Sequence, residues 1–143
     1  YRIEKFSYMI NDPLSYRACP MIKRYPSSLP LPFSRATQAG GFLFLSGQVP
    51  MDASGQVVRG DIRAQTHAVF DRIEETLALT GCGLKDAVRA TVWLSDLALF
   101  NDFNEVYRER FGETFPSRST VQAALAMGVD VEIEIQAVAA DGR

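Results

Sequence analysis

The chain reads as an α+β domain in which a single mixed β-sheet carries two helices on one face. Three observations predict this. Residues 131–138 alternate Val, Glu, Ile, Glu, Ile, Gln, Ala, Val, the period of an extended strand. Residues 61–80 and 96–111 instead place apolar side chains at helical spacing. The elements run strands, helix, strand, helix, two strands, and a helix buries its stripe only against another layer, so both helices should cover one sheet face. The opposite face is then left uncovered, which in a domain this small predicts self-association.

Taken in order, residues 1–20 show neither strand alternation nor a helical stripe and read as an N-terminal extension, ahead of a single domain over 21–143. Residues 21–25 form a short strand candidate, and 26–32, with three prolines and two serines, a loop. Gly40 and Gly41 mark a hairpin turn into Phe42-Leu43-Phe44-Leu45, which reads as a fully buried strand ending at the polar Ser46-Gly47-Gln48. Glycine at 47 lets a backbone or a ligand come close. Residues 51–60 suggest a turn and a short strand.

Asp61 is a candidate N-cap for the first helix, whose stripe is Ile62, Val69, Phe70, Ile73 and Leu77 and whose polar face is Arg63, Gln65, Arg72 and Glu74. Gly81 and Gly83 stop it. Residues 86–95 hold a strand rich in Val, Thr and Trp. The second helix carries Phe100, Phe103, Val106, Tyr107 and Phe111 on its stripe and ends at Gly112. The last segment reads as a hairpin: a strand entering at Ser119, a turn at 127–130, and the alternating strand, with Val131, Ile133, Ile135 and Ala137 on one face and Glu132, Glu134, Gln136 and Val138 on the other.

At 143 residues and 47% hydrophobic content the chain supports one real core. A net charge of −2 argues against binding nucleic acid through phosphate neutralisation. Cys19 and Cys82 lie far apart, with no CxxC and no histidine at metal spacing, and read as free thiols of a reducing compartment. No apolar run is long enough to span a bilayer and no signal pattern opens the chain, so a cytoplasmic location is expected. The single histidine, His67, lies within the first helix with no nucleophile pattern around it.

Two residues of the last segment suggest chemistry. Arg118 follows Phe115-Pro116-Ser117, where proline fixes the backbone that aims the guanidinium. Its planar fork suits a carboxylate in bidentate fashion. Glu134 lies mid-strand, where a buried carboxylate needs a partner. On spacing alone the two read more readily as an ordinary salt bridge, or as solvated side chains, than as a site.

The motifs PFSRA (32–36), SGQVP (46–50), NEVY (104–107), FPSRST (115–120) and VEIEI (131–135), in this order, resemble the RidA/YjgF family of reactive-intermediate deaminases, also called the endoribonuclease L-PSP family. The similarity covers about residues 21–139. It implies a chorismate mutase-like fold, a homotrimer with ligand clefts between subunits, and hydrolysis of reactive 2-aminoacrylate and 2-imino acid intermediates to 2-oxo acids and ammonia, without metal or organic cofactor. Arg118 would hold the substrate carboxylate and Glu134 would act on water as general base. Glu132 matches no motif position and is assigned to the surface. Ser46, Gly47 and Asn104 match family positions near the ligand. Thr120 stands where many relatives carry cysteine, which argues against thiolate chemistry, and Phe33 stands where tyrosine is common. Alternatives left open are a non-catalytic carboxylate-binding or chaperone-like trimer and a specialised paralogue acting on another enamine; the acidic balance disfavours the endoribonuclease sense of the name.

Overall fold

A computed structural model describes residues 21–142. The extension expected at 1–20 and Arg143 lie outside these residues. The elements are β1 (Lys23–Pro26), β2 (Ser34–Ala39), β3 (Phe42–Leu45), α1 (Ile62–Leu79), β4 (Ala87–Leu94), α2 (Phe100–Phe111), β5 (Ser117–Gln122) and β6 (Val131–Val138). The strands make one six-stranded sheet in the order β1-β2-β3-β6-β4-β5. All neighbours are antiparallel except β4 and β5. The mixed sheet with two helices is therefore as the sequence predicts.

The core lies between the sheet and the helices. Leu43, Leu45, Ala90, Val92, Leu94, Val131, Ile133, Ile135 and Ala137 are buried, and they meet Val69, Phe70, Ile73 and Leu77 of α1 and Phe103, Tyr107 and Phe111 of α2. Gly40 and Gly41 make the β2–β3 turn with φ of 58° and 80°, a pair of positive values that glycine accepts without a Cβ clash. Asp61 caps α1 by accepting the Ala64 amide at 2.9 Å. Gly81, at φ 72°, closes its end.

Four expectations are corrected. The last two strands are not a hairpin, because β4 lies between them and pairs with both. The unit β4-α2-β5 is a parallel crossover, and residues 123–130 then carry the chain over β4, held by Ala123 N–H to Leu94 O and Ser95 N–H to Asp130 O. Phe42 and Phe44 are 46% and 40% exposed: β3 is buried on its core face only. Gln65, placed on the polar face of α1, is buried because its amide links Gly60 O and Asp130 Oδ2 and accepts the Asp130 amide. The second helix begins at Phe100, since Asp96 caps a separate short turn at Leu97–Leu99.

The register sets what each face presents. Phe42, Phe44, Gln136, Val138, Thr91, Trp93, Glu134 and Val121 fall on the face away from the helices. Among them Phe42, Phe44 and Val121 are exposed large hydrophobic side chains.

Candidate functional site

Arg118 pairs with Ala90 across the β4–β5 ladder, so its side chain rises on the helix face at the edge of the sheet. There it lies over α2. The guanidinium carbon is 4.5 Å from the centroid of the Tyr107 ring and 5.5 Å from those of Phe100 and Phe103. Residues 100, 103 and 107 share one helix face by their three- and four-residue spacing, which makes a continuous aromatic platform. A cation on aromatic faces is held by the ring quadrupoles. Among the described residues no carboxylate forms an ion pair with Arg118. A cleft of about 320 Å³ opens beside it, lined by Asn104, Tyr107, Arg108, Phe115, Pro116 and Arg118.

Two buried hydroxyls complete this half. Tyr107 is 4% exposed, and its hydroxyl oxygen meets no partner at full hydrogen-bond geometry, the Arg118 guanidinium 4.5 Å from the ring centroid being the donor beside it. Burial pushes its pKa up to about 12, against the opposing charge and hydrogen bonding of Arg118. Thr120 stands two residues beyond Arg118 on the same face, and its buried Oγ1 is likewise unpartnered.

Glu134 is elsewhere. It pairs with Thr91 on the open face of β6, the face opposite Arg118. The intramolecular Arg118–Glu134 ion pair that the spacing allowed is therefore absent. Phe33, Ser46 and Gly47 are likewise apart from the Arg118 cleft. Ser46 Oγ donates to Ser34 O at 2.6 Å, and Gln48 extends the ladder by exchanging hydrogen bonds with Ile133 of β6. Gly47 and Phe33 line a second cavity of about 370 Å³.

Glu132, expected on the surface, lines that cavity instead. A Cβ at position 47 would come 2.0 Å from its Oε1, so this glycine is what admits the carboxylate. Burial raises the Glu132 pKa, and the Glu134 charge on the same strand face adds to the shift. Three further residues escaped the sequence reading. Arg35 is 9% exposed and lines the cavity, donating Nε–H to Thr76 Oγ1 at 2.6 Å. Met127, at φ 60°, is the one non-glycine residue with positive φ among those described. Tyr107 was legible as a neighbour of Asn104 at helical spacing, but its place under Arg118 depends on the parallel β4–β5 pairing. Within one chain the expected site residues thus do not converge: Arg118, Asn104 and Thr120 stand apart from Phe33, Ser46, Gly47 and Glu134.

Fold and clefts define a single-sheet α+β protein with cavities of small-molecule size. The chain belongs to the family described as Endoribonuclease L-PSP, the RidA/YjgF family, whose profile matches residues 26–140. It is 44% identical over 109 residues to a RutC family protein of Pyrococcus horikoshii, covering 76% of this chain and 86% of that one. It is 40% identical over 109 residues to the 2-iminobutanoate/2-iminopropanoate deaminase of Bos taurus, covering 75% and 80%. Among solved structures, that of E. coli TdcF with bound serine superposes with a TM-score of 0.72 at 32% identity, covering 80% of this chain and 93% of that one.

Among the described residues no group of three His, Cys, Asp or Glu side chains is placed to hold a metal ion. No described helix is long and apolar enough to cross a membrane.

Proposed function

We propose that the protein is an enamine/imine deaminase that hydrolyses reactive 2-aminoacrylate and 2-imino acids to 2-oxo acids and ammonia. The observation that carries this is Arg118: a guanidinium fixed on three aromatic rings, free of any ion pair among the described residues, at the mouth of a small cleft. A cation so held is pre-organised for a carboxylate and loses little freedom on binding it. The relative named as a deaminase and the serine held by TdcF support the same substrate class.

Arg118 and Glu134 lie on opposite faces of one sheet, so we place the working site between copies of the chain. The exposed Phe42, Phe44 and Val121 on the Glu134 face supply an apolar surface for that contact, and a homotrimer with three such clefts is the assembly proposed. Arg118 of one copy then binds the substrate carboxylate while Glu134 of the next faces C2. Water adds to C2 as Glu134 takes its proton, giving a tetrahedral carbinolamine. Glu134 then returns that proton to the nitrogen, the C–N bond breaks, ammonia leaves, and the hydroxyl gives up its proton to solvent as the carbonyl forms. 2-Aminoacrylate enters the same route once protonation at C3 converts it to 2-iminopropanoate. The unpartnered Thr120 Oγ1 is a hydrogen-bond donor for the imine nitrogen or the water, and Asn104 lines the carboxylate end. None of these steps calls for a metal or an organic cofactor. The free Cys82 suits a reducing, cytoplasmic setting.

The test is 2-oxo acid formation from an imino acid generated in the cuvette by an amino-acid oxidase, with semicarbazide competing for the imine. Wild type should accelerate oxo acid release and Arg118→Ala should not, while the two proteins keep the same assembly on gel filtration. Equal rates for both proteins would remove Arg118 from the mechanism. Tight binding of 2-oxobutanoate with no acceleration would make the protein a carboxylate-binding module.

A further inference from the structure

We infer that the cavity beside Gly47 receives the side chain of the imino acid, and that this chain selects 2-imino acids with bulky apolar side chains over those with a methyl group. The inference rests on the deaminase reading and names its substrate class. Position comes first. Glu132, which lines the cavity, and Glu134 are alternate residues on the same face of β6, about 7 Å apart along the strand. With C2 at Glu134 and the carboxylate on the Arg118 of a neighbouring copy, the space this chain offers nearby for the remaining substituent is the cavity at Gly47, Phe33 and Glu132.

The walls decide the chemistry. Leu29, Leu31, Phe33, Val49, Met51 and Met127 supply apolar surface on several sides. The arginines that also border the space share one carboxylate: Arg35 Nη2 and Arg72 Nη1 lie 3.0 and 2.7 Å from Glu75 Oε2, and Arg35 Nε–H donates to Thr76 Oγ1. Arg35 Nη2 makes no hydrogen bond there, so this wall keeps one unused polar group beside six apolar side chains. Glu132 has no ion pair among the described residues, and an acidic substituent would meet it as a like charge.

Size points the same way. The cavity measures about 370 Å³. A methyl group is about the bulk of one water, whose share of liquid volume is roughly 30 Å³, so the smallest imino acids leave most of the space unfilled. One wall is also built at a cost. Met127 is held in the left-handed region at φ 60°, ψ 12°, followed by Gly128, whose carbonyl accepts from Arg59 Nη1 at 3.1 Å. Strained backbone of this kind persists where the surroundings fix it, and it concentrates at ligand clamps.

Each methylene buried in such a space multiplies affinity about fourfold. Exchanging methyl for isobutyl should therefore favour the larger substrate on the order of tenfold to a hundredfold. The experiment compares kcat/KM for 2-iminopropanoate and 2-imino-4-methylpentanoate, each generated by an oxidase, in wild type, Met51→Trp and Leu31→Trp. Leu31 is 43% exposed in a loop, so that variant puts little folding energy at risk. The expected wild-type ratio is at least ten in favour of the larger imine, falling tenfold or more in the variants. A wild-type ratio at or below one, or an unchanged ratio in both folded variants, overturns the inference. If no imine is hydrolysed, the deaminase reading fails and the cavity is judged by calorimetry with pyruvate and 2-oxo-4-methylpentanoate. Binding at least tenfold tighter for the branched acid upholds the pocket, and a smaller preference refutes it.

Discussion

Replacing Tyr107 with phenylalanine should make the protein more stable. The tyrosine ring is 4% exposed, and its edge-on and tilted contacts with Phe70, Phe103 and Phe111, at centroid distances of 5.8, 5.5 and 4.6 Å, do not involve the oxygen. The hydroxyl meets no partner at full hydrogen-bond geometry, although Arg118 lies beside it, and burying such a group costs about 1–3 kcal/mol. Deleting it leaves a void of one oxygen, which at ~24 cal/mol per Å³ returns roughly 0.5 kcal/mol of that gain. The net expectation is about 0.5–2.5 kcal/mol of stabilisation, a rise in Tm of roughly 2–8 °C for a domain of this size. Because assembly couples to stability, differential scanning calorimetry should compare the two proteins at equal protomer concentration. At neutral pH the phenol is neutral in both folded and unfolded states, since burial holds its pKa near 12, so ionisation does not enter the comparison. A fall in Tm of 2 °C or more would refute the reasoning, because it would mean that the hydroxyl is hydrogen-bonded in the folded protein.

Tyr107→Leu, by contrast, removes the ring nearest Arg118; with a cation–π contact worth about 0.5–2 kcal/mol, KM should rise several-fold to tens-fold in steady-state assays while Tyr107→Phe keeps the wild-type value. Glu132→Gln tests the cavity carboxylate. The folded-state pKa lies above the unfolded one, so the stability Glu132 contributes is present below the unfolded pKa and is lost as pH rises through the folded pKa. The Tm of the variant should gain on wild type between about pH 4 and pH 7, and a gap constant with pH would rule the effect out. Phe44→Glu, on the open face, should reduce the assembly to smaller species on gel filtration, whereas an unchanged elution volume would place the interface elsewhere. Asp61→Ala removes the α1 cap and should cost about 1 kcal/mol in urea unfolding.

How much of this was legible in the sequence follows from which residues act locally. The alternation at 131–138 and the stripe from Ile62 to Leu77 report burial directly, since each is a one-dimensional record of which side meets the core. The Gly40-Gly41 turn and the Asp61 cap are legible for a similar reason: their chemistry is confined to a few neighbouring residues. Strand pairing is not local. Nothing between Gln122 and Val131 reveals that β4 will separate the two strands flanking that stretch, and with that error went the expectation that Arg118 and Glu134 share a hairpin. Glu132 was misplaced because its neighbour in space, Gly47, is remote in sequence. A glycine there promised close approach without saying to what. The resemblance supplied Phe33, Ser46, Gly47, Asn104 and Thr120 one position at a time, without saying that Asn104 lies in the Arg118 cleft and that Phe33 and Gly47 line another. The Met127 backbone has no sequence signature, since methionine seldom adopts positive φ.

The separation of Arg118 and Glu134 across the two faces of one sheet makes the proposed site divisible. An Arg118→Ala chain and a Glu134→Ala chain would each be inert as pure proteins, yet each would keep the half that the other lacks. Unfolded together in equal amounts and refolded, random mixing would reunite an intact arginine with an intact glutamate in roughly a quarter of the clefts. Activity recovered from two dead proteins is behaviour that a site contained within one chain does not show. The fold would thus make subunit exchange a form of control, with every protomer dependent on a neighbour for half of its chemistry.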